Sequence, residues 1–183
     1  ERQTSQPLGY VEQLYTFGDR DRASINADSR RPLSIGYLAL AREMRPGSDA
    51  GTAWRSWYQY FPWEDWRGGR PAMLAAVETQ LRKWIAAASG AQKKLREERA
   101  RETFGLAGGA WSEERALERY ELLYEIGAIP EAHRDRGKPA TTPIEGVSMF
   151  SDHRRMLATA IARLRGKIKY RPVVFDLMPP TFT

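Results

Sequence analysis

The chain has 183 residues, 42% hydrophobic and 28% charged, an ordinary balance for a folded domain that excludes a disordered tail or a fibre. It has no cysteine and only 2 histidines, which removes disulfides, thiolate metal sites, cysteine nucleophiles and histidine-rich metal centres together. A formal net charge of +6 favours an anionic partner, and without a long apolar run or a basic-then-apolar leader the expectation is a single cytoplasmic domain that crosses no membrane.

In chain order, GYVEQLYTF from Gly9 to Phe17 is rich in aromatic and branched residues and partly alternates, as a strand packed on one face does. The polar GDRDRASINADSRRP then has to loop over the surface. Leu33 to Ala41, LSIGYLALA, predicts a second strand covered on both sides. TAWRSWYQYFPW predicts a third, with Trp57, Gln59 and Phe61 on one face and Tyr58 and Tyr60 on the other, ended by Pro62.

After Pro71 the period changes. Leu74, Val77, Leu81, Trp84 and Ala88 recur at spacings of three and four, the mark of an amphipathic helix that Gly90 interrupts or bends. AQKKLREERARET is highly charged, and either extends this as a solvated helix or is partly mobile. Beyond GLAGGA a second helix has Ser112 as its cap, Ala116, Tyr120 and Leu123 on one face, and Gly127 with Pro130 as its stop. A Pro-, Gly- and Thr-rich connector runs to about Phe150. A third helix opens at Ser151 and Asp152, buries Leu157, Ala160, Ile161 and Leu164, and stops at Gly166, after which KIKYRPVVFDLMPP predicts a strand. The class is therefore α+β, with three or four strands making a thin sheet that implies further strands upstream.

The strings YVEQLYTFGDRDR, SIGYLALAR, WYQYFPWEDW and SDHRRMLATAIARLRGKIKYRPVVFDLMPPTFT, in this order, resemble the Nudix-related transcriptional regulators of NAD metabolism, specifically the proteobacterial branch with a degenerate Nudix domain. The likeness covers roughly residues 8 to 66 and 150 to 183. It implies a Nudix-like mixed sheet flanked by helices over 1–183, with 70–130 a helical extension, both ends cut, and a winged helix beyond Thr183. It further implies a homodimer that binds an NAD-related nucleotide such as ADP-ribose, NAD or ATP, and that reaches DNA through the winged helix. The same alignment puts Glu1-Arg2-Gln3-Thr4 at the end of the Nudix box, where an active enzyme carries two adjacent glutamates that hold magnesium against a diphosphate. Neither Arg2 nor Gln3 can replace a carboxylate as a hard-cation ligand, so the expectation is no catalytic residue, no tightly bound metal and no cofactor beyond the effector. The alternative is an ADP-ribose pyrophosphatase whose catalytic box lies upstream. EERARETFGL, from Glu97 to Leu106, superficially resembles such a box, but only Glu102 matches a required carboxylate, and it is read as a charged helix.

Candidate contact residues follow from placement. Asp19, Arg20 and Arg22 lie in a loop after the first strand, either a place where ligand groups collect or a plain surface loop, since it departs from the Pro and Gly pattern usual in the family it resembles. Trp57, with the neighbouring Trp and Tyr residues, offers flat rings for an adenine or a packed core and dimer interface. His153 sits at a helix start, fit either for a ligand or for bonding that helix end, and Arg154 beside it is a further candidate ligand contact. If extended, Arg165, Lys167, Lys169 and Arg171 put four cations on one face, either a strip for nucleotide phosphates or DNA backbone, or a solvated strand edge.

Overall fold

A computed structural model of the chain describes residues 10–18, 33–40, 54–139, 144 and 146–170. They fall into two compact units, one from residues 1–55 and 163–183, the other from residues 56–162. The first contains an antiparallel strand pair and the second is helical, so the protein is of mixed α+β class.

In the first unit β1 (Val11–Phe17) pairs with β2 (Ser34–Ala39), from Val11 opposite Ala39 to Phe17 opposite Ser34. A bulge between Gln13 and Tyr15 turns Leu14 to the side that Phe17 buries. Both pack on Gly36, where a Cβ would stand 3.2 Å from the Phe17 ring and 3.7 Å from Leu14. The expectation of a β2 covered on both sides is not met: its burial alternates, leaving Ile35 56% and Tyr37 63% exposed. One face is covered, the period-two pattern of a half-buried strand.

The second unit begins with the largest departure from the sequence reading. The aromatic segment is not a third strand but two tight turns of 3-10 helix, Trp57–Gln59 and Pro62–Glu64. Its backbone is satisfied locally. Ser56 Oγ accepts from the Tyr58 amide at 3.3 Å, and the Tyr60 and Phe61 amides both donate to the Trp57 carbonyl, at 2.9 and 3.1 Å. Each turn closes with bonds three residues apart, so no partner strand is needed, and Pro62 opens the second turn, where its missing N–H costs nothing. The turns send Phe61 and Trp63 fully into the core, edge to face at 5.8 Å.

Helix α1 (Leu74–Ala86) buries Leu74, Val77 and Leu81 at the spacing read from the sequence, and Ile85 in the place expected of Trp84, which is half-buried, while Ala88 lies past its end. After a break, Gly90 starts α2 (Gly90–Phe104), so the charged stretch is a solvated helix that buries only Ala100, Thr103 and Phe104. It ends at Gly105, at φ 66. Helix α3 (Ala116–Glu125) buries Ala116, Tyr120, Leu122 and Leu123 and stops at Gly127, at φ 73. Ser112 stands before the short turn that leads into α3, but its side chain makes no capping bond. The presumed connector contains another helix, α4 (Pro130–Arg134), with proline in its first turn. Ile129 and Ala132 are buried there, and Ile144 beyond it.

Helix α5 (His153–Tyr170) buries Arg154, Ala158 and Ile161 and does not stop at Gly166. Residues up to Ala162 belong to the helical unit, and those from Arg163 to the other. Gly105 and Gly127 terminate their helices because the chain there turns left-handed, whereas Gly166 keeps a negative φ and costs only helix propensity, about 1 kcal/mol. The strand expected over KIKYRPVVFDLMPP is therefore helix through Tyr170, and its remainder lies outside the described residues.

Candidate functional site

Two clusters of charged side chains are built by this fold, one in each unit. In the strand-bearing unit, Lys167 Nζ lies 2.5 Å from Glu12 Oε2 and also donates to the Tyr10 hydroxyl, which in turn donates to Glu12 Oε2 at 2.7 Å. The ammonium also rests on the Tyr10 ring, 4.8 Å from its centroid. Burial works to raise the Glu12 pKa, but the hydrogen bonds from Lys167 and Tyr10 and the charges of Lys167 and Arg163 outweigh it and hold the carboxyl below its ordinary range. Glu12 Oε1 is buried without a hydrogen-bond partner.

In the helical unit, two arginine–glutamate pairs are fully enclosed. Arg119 grips Glu64 with two bonds, Nε to Oε1 at 2.6 Å and Nη2 to Oε2 at 2.9 Å, and donates further to the carbonyls of Thr103, Ser112 and Glu113. The Trp111 ring covers its guanidinium at 3.9 Å. Arg154 donates to Glu131 at 2.9 Å and twice to the Tyr60 carbonyl, while Glu131 Oε1 accepts from the Met149 amide at 3.0 Å. Burial lowers the Arg154 pKa and Glu131 opposes that shift; burial also pushes the nearby Tyr120 phenol far above its usual value. Because both members of each pair are bonded, the desolvation cost of the four charges is offset, and the pairs tie the aromatic turns to α3, α4 and α5.

These clusters do not gather the residues marked in the sequence. Asp19, Arg20, Arg22 and Arg171 lie outside the described residues, as do Arg2 and Gln3. Trp57 is half-buried at the first tight turn, its indole N–H buried with no acceptor and its ring edge on Tyr58 at 5.7 Å. His153 is exposed at the start of α5 with its ring edge toward Phe150. Arg154, one residue on, is fully buried and committed to Glu131 and Tyr60.

The extended cationic strip does not form. Arg165, Lys167 and Lys169 are helical, and residues two apart on a helix point to opposite sides rather than along one face. Lys167 turns to Glu12, and Lys169 lies over the Tyr170 ring at 5.2 Å. Glu64, Arg119 and Glu131 were missed by sequence reasoning. Nothing local marks them, since Arg119 and Glu64 are 55 positions apart, though Arg119 does follow Ala116 by three on the buried face of α3.

Glu97 to Phe104 is helix, as the sequence reading had it. Among the described residues, no three His, Asp or Glu side chains cluster as metal ligands would, and no helix is long and apolar enough to cross a membrane. No family model matches the sequence, and no curated protein matches it.

Proposed function

We propose that this chain is the nucleotide-sensing, Nudix-like part of a transcriptional regulator of NAD biosynthesis. It binds an NAD-related nucleotide such as ADP-ribose, NAD or ATP, and acts on DNA as a homodimer through a winged helix. The observation that carries this reading is the meeting of the first two strings on which the family resemblance rests with the end of the last. YVEQLYTF and SIGYLA pair as β1 and β2, and Lys167, from the last string, bridges to Glu12 in the first. The extension expected over 70–130 lies within the helical unit 56–162, which also includes WYQYFPWEDW and the first part of the last string.

Sensing rather than cleavage fits the residues at the end of the presumed box. Arg2 and Gln3 offer no carboxylate to a magnesium ion, so the metal of an active Nudix enzyme does not fit them, and no hydrolytic step runs through it. A sensor needs only that its nucleotide bind two states of the dimer unequally, and the difference in affinity sets how far the DNA equilibrium moves.

Calorimetry on the full-length gene product with ADP-ribose, NAD and ATP tests the reading. Saturable binding of at least one, with a matching change in operator affinity, is the expected result. Binding of none would sink it, and magnesium-dependent release of AMP from ADP-ribose would replace it with a pyrophosphatase.

A further inference from the structure

The helical unit contains a recess of about 550 Å3 between α1, α2 and the turn at Leu106–Gly108. That volume lies in the range of small-molecule sites, roughly 300–1,000 Å3. Its walls are mixed: Ile85 and Leu106 give an apolar floor, while Arg82, Lys93 and Arg101 bring cations and Glu97 and Glu98 carboxylates.

What distinguishes the recess is the state of its arginines. From Ser56 to Ala162 nearly every arginine side chain is engaged: Arg67 with Asp65, Arg70 with Glu78, Arg99 with Glu125, Arg115 with Glu102, and Arg96 with the Trp84 carbonyl. Arg136 bonds the Glu125 carbonyl, Arg134 pairs with Asp135, Arg155 with Glu121, and Arg119 and Arg154 are the buried pair members. Among the described residues, Arg82 and Arg101 alone of this set have a side chain with no hydrogen bond, ion pair or ring contact, and both line the recess. Glu97 and Glu98 stand beside them without drawing them into an ion pair.

The floor is preformed. Gly109 is packed so tightly that a Cβ there would meet the Arg101 carbonyl oxygen at 2.4 Å. Ala107, on the rim, is held at φ 52, a left-handed conformation that a side chain rarely adopts. A turn fixed in this way presents Leu106 and Ala107 to a ligand without an ordering cost at the moment of binding.

We propose that this recess binds a small organic phosphate. Arg82 and Arg101, with Lys93 nearby, supply the donors for its phosphate, since the guanidinium fork matches phosphate oxygens two at a time. Ile85 and Leu106 take the apolar side of its body, and Glu97 and Glu98 accept from its hydroxyl or amino groups. The two carboxylates also repel a bare anion, which makes the organic body part of the recognition. The site is separate from the sensor reading above and does not depend on it.

The test uses adenosine monophosphate, with inorganic phosphate as comparison, titrated calorimetrically into the full-length protein and two variants. Arg82→Gln/Arg101→Gln removes the unengaged pair, and Lys83→Gln/Arg99→Gln removes the same charge from the same helices outside the recess. All four positions are on helices where glutamine keeps helix propensity, so unchanged circular dichroism is expected of both. The expected result is a loss of affinity of roughly tenfold or more in the first variant only, with inorganic phosphate binding more weakly than the nucleotide. No binding to the wild type, equal losses in the two variants, or inorganic phosphate matching the nucleotide would each overturn the proposal. Nucleotide binding that survives Arg82→Gln/Arg101→Gln would also overturn it, while leaving the sensor reading standing.

Discussion

Within residues 56–162 buried charge is met by buried charge: Arg119 with Glu64 and Arg154 with Glu131 have essentially no exposed side-chain surface. In the strand-bearing unit Lys167 and Glu12 pair while still partly exposed, at 14% and 21%. Among the described residues the buried hydrophobic side chains differ in the same sense. The helical unit encloses Phe61, Trp63, Leu81, Leu122, Leu123 and Ile161, each worth about 1.5–3 kcal/mol when buried, whereas the strand pair buries Leu14 and Phe17 and shows Ile35 and Tyr37 to solvent. The difference teaches where stability and where responsiveness belong. An enclosed ion pair is rigid because losing either partner strands a charge, while a partly exposed pair loses less when it is broken because water reaches its members.

The largest effect expected from this contrast is at Arg119. Arg119→Ala leaves Glu64 buried without its cation and should cost about 3–5 kcal/mol in urea denaturation, much of it recovered in Glu64→Gln/Arg119→Met. If the single variant is as stable as the wild type, the enclosed pair is not what holds the aromatic turns to α3.

A smaller, pH-dependent effect is expected at Lys167. With its carboxyl held below the ordinary range, Glu12 contributes stability above that range and loses it as the pH falls through the depressed value. Lys167→Met leaves only the Tyr10 bond and the Arg163 charge to oppose burial, so the Glu12 carboxyl should titrate at higher pH and the acid-side loss of stability it causes should shrink. Carbon-detected NMR titration of the glutamates reads this directly, and an unmoved Glu12 would deny the pairing.

The smallest effect is expected at Ala107. Ala107→Gly relieves a left-handed residue at φ 52, at the expense of a more flexible unfolded chain, for a net gain of less than about 1 kcal/mol. A clear loss of stability would show that the Ala107 methyl group packs in a way its exposure does not suggest.

Much of the helical unit was legible beforehand, and the candidate site much less so. Leu74, Val77 and Leu81 announce α1 by spacing alone, and Gly127 marks the end of α3 because the chain must turn left-handed there. The aromatic segment misled because alternating bulky residues read as a strand, when local bonds to the Trp57 carbonyl and Pro62 favour tight turns. Arg154 reads in the sequence as a candidate ligand contact, and only its enclosure beside Glu131 and Tyr60 shows what it holds.

The amino-acid order by itself determined most of the buried faces of α1 and α3, the places of β1 and β2, the stop at Gly127 and the absence of cysteine chemistry, because each depends on neighbours within a few residues. Tertiary structure alone decided which charges are buried, that the helix from His153 runs past Gly166, and which arginines remain unengaged around the α1–α2 recess. Those outcomes depend on partners such as Glu64 for Arg119 and Glu12 for Lys167, which are distant in sequence and meet only when the chain packs.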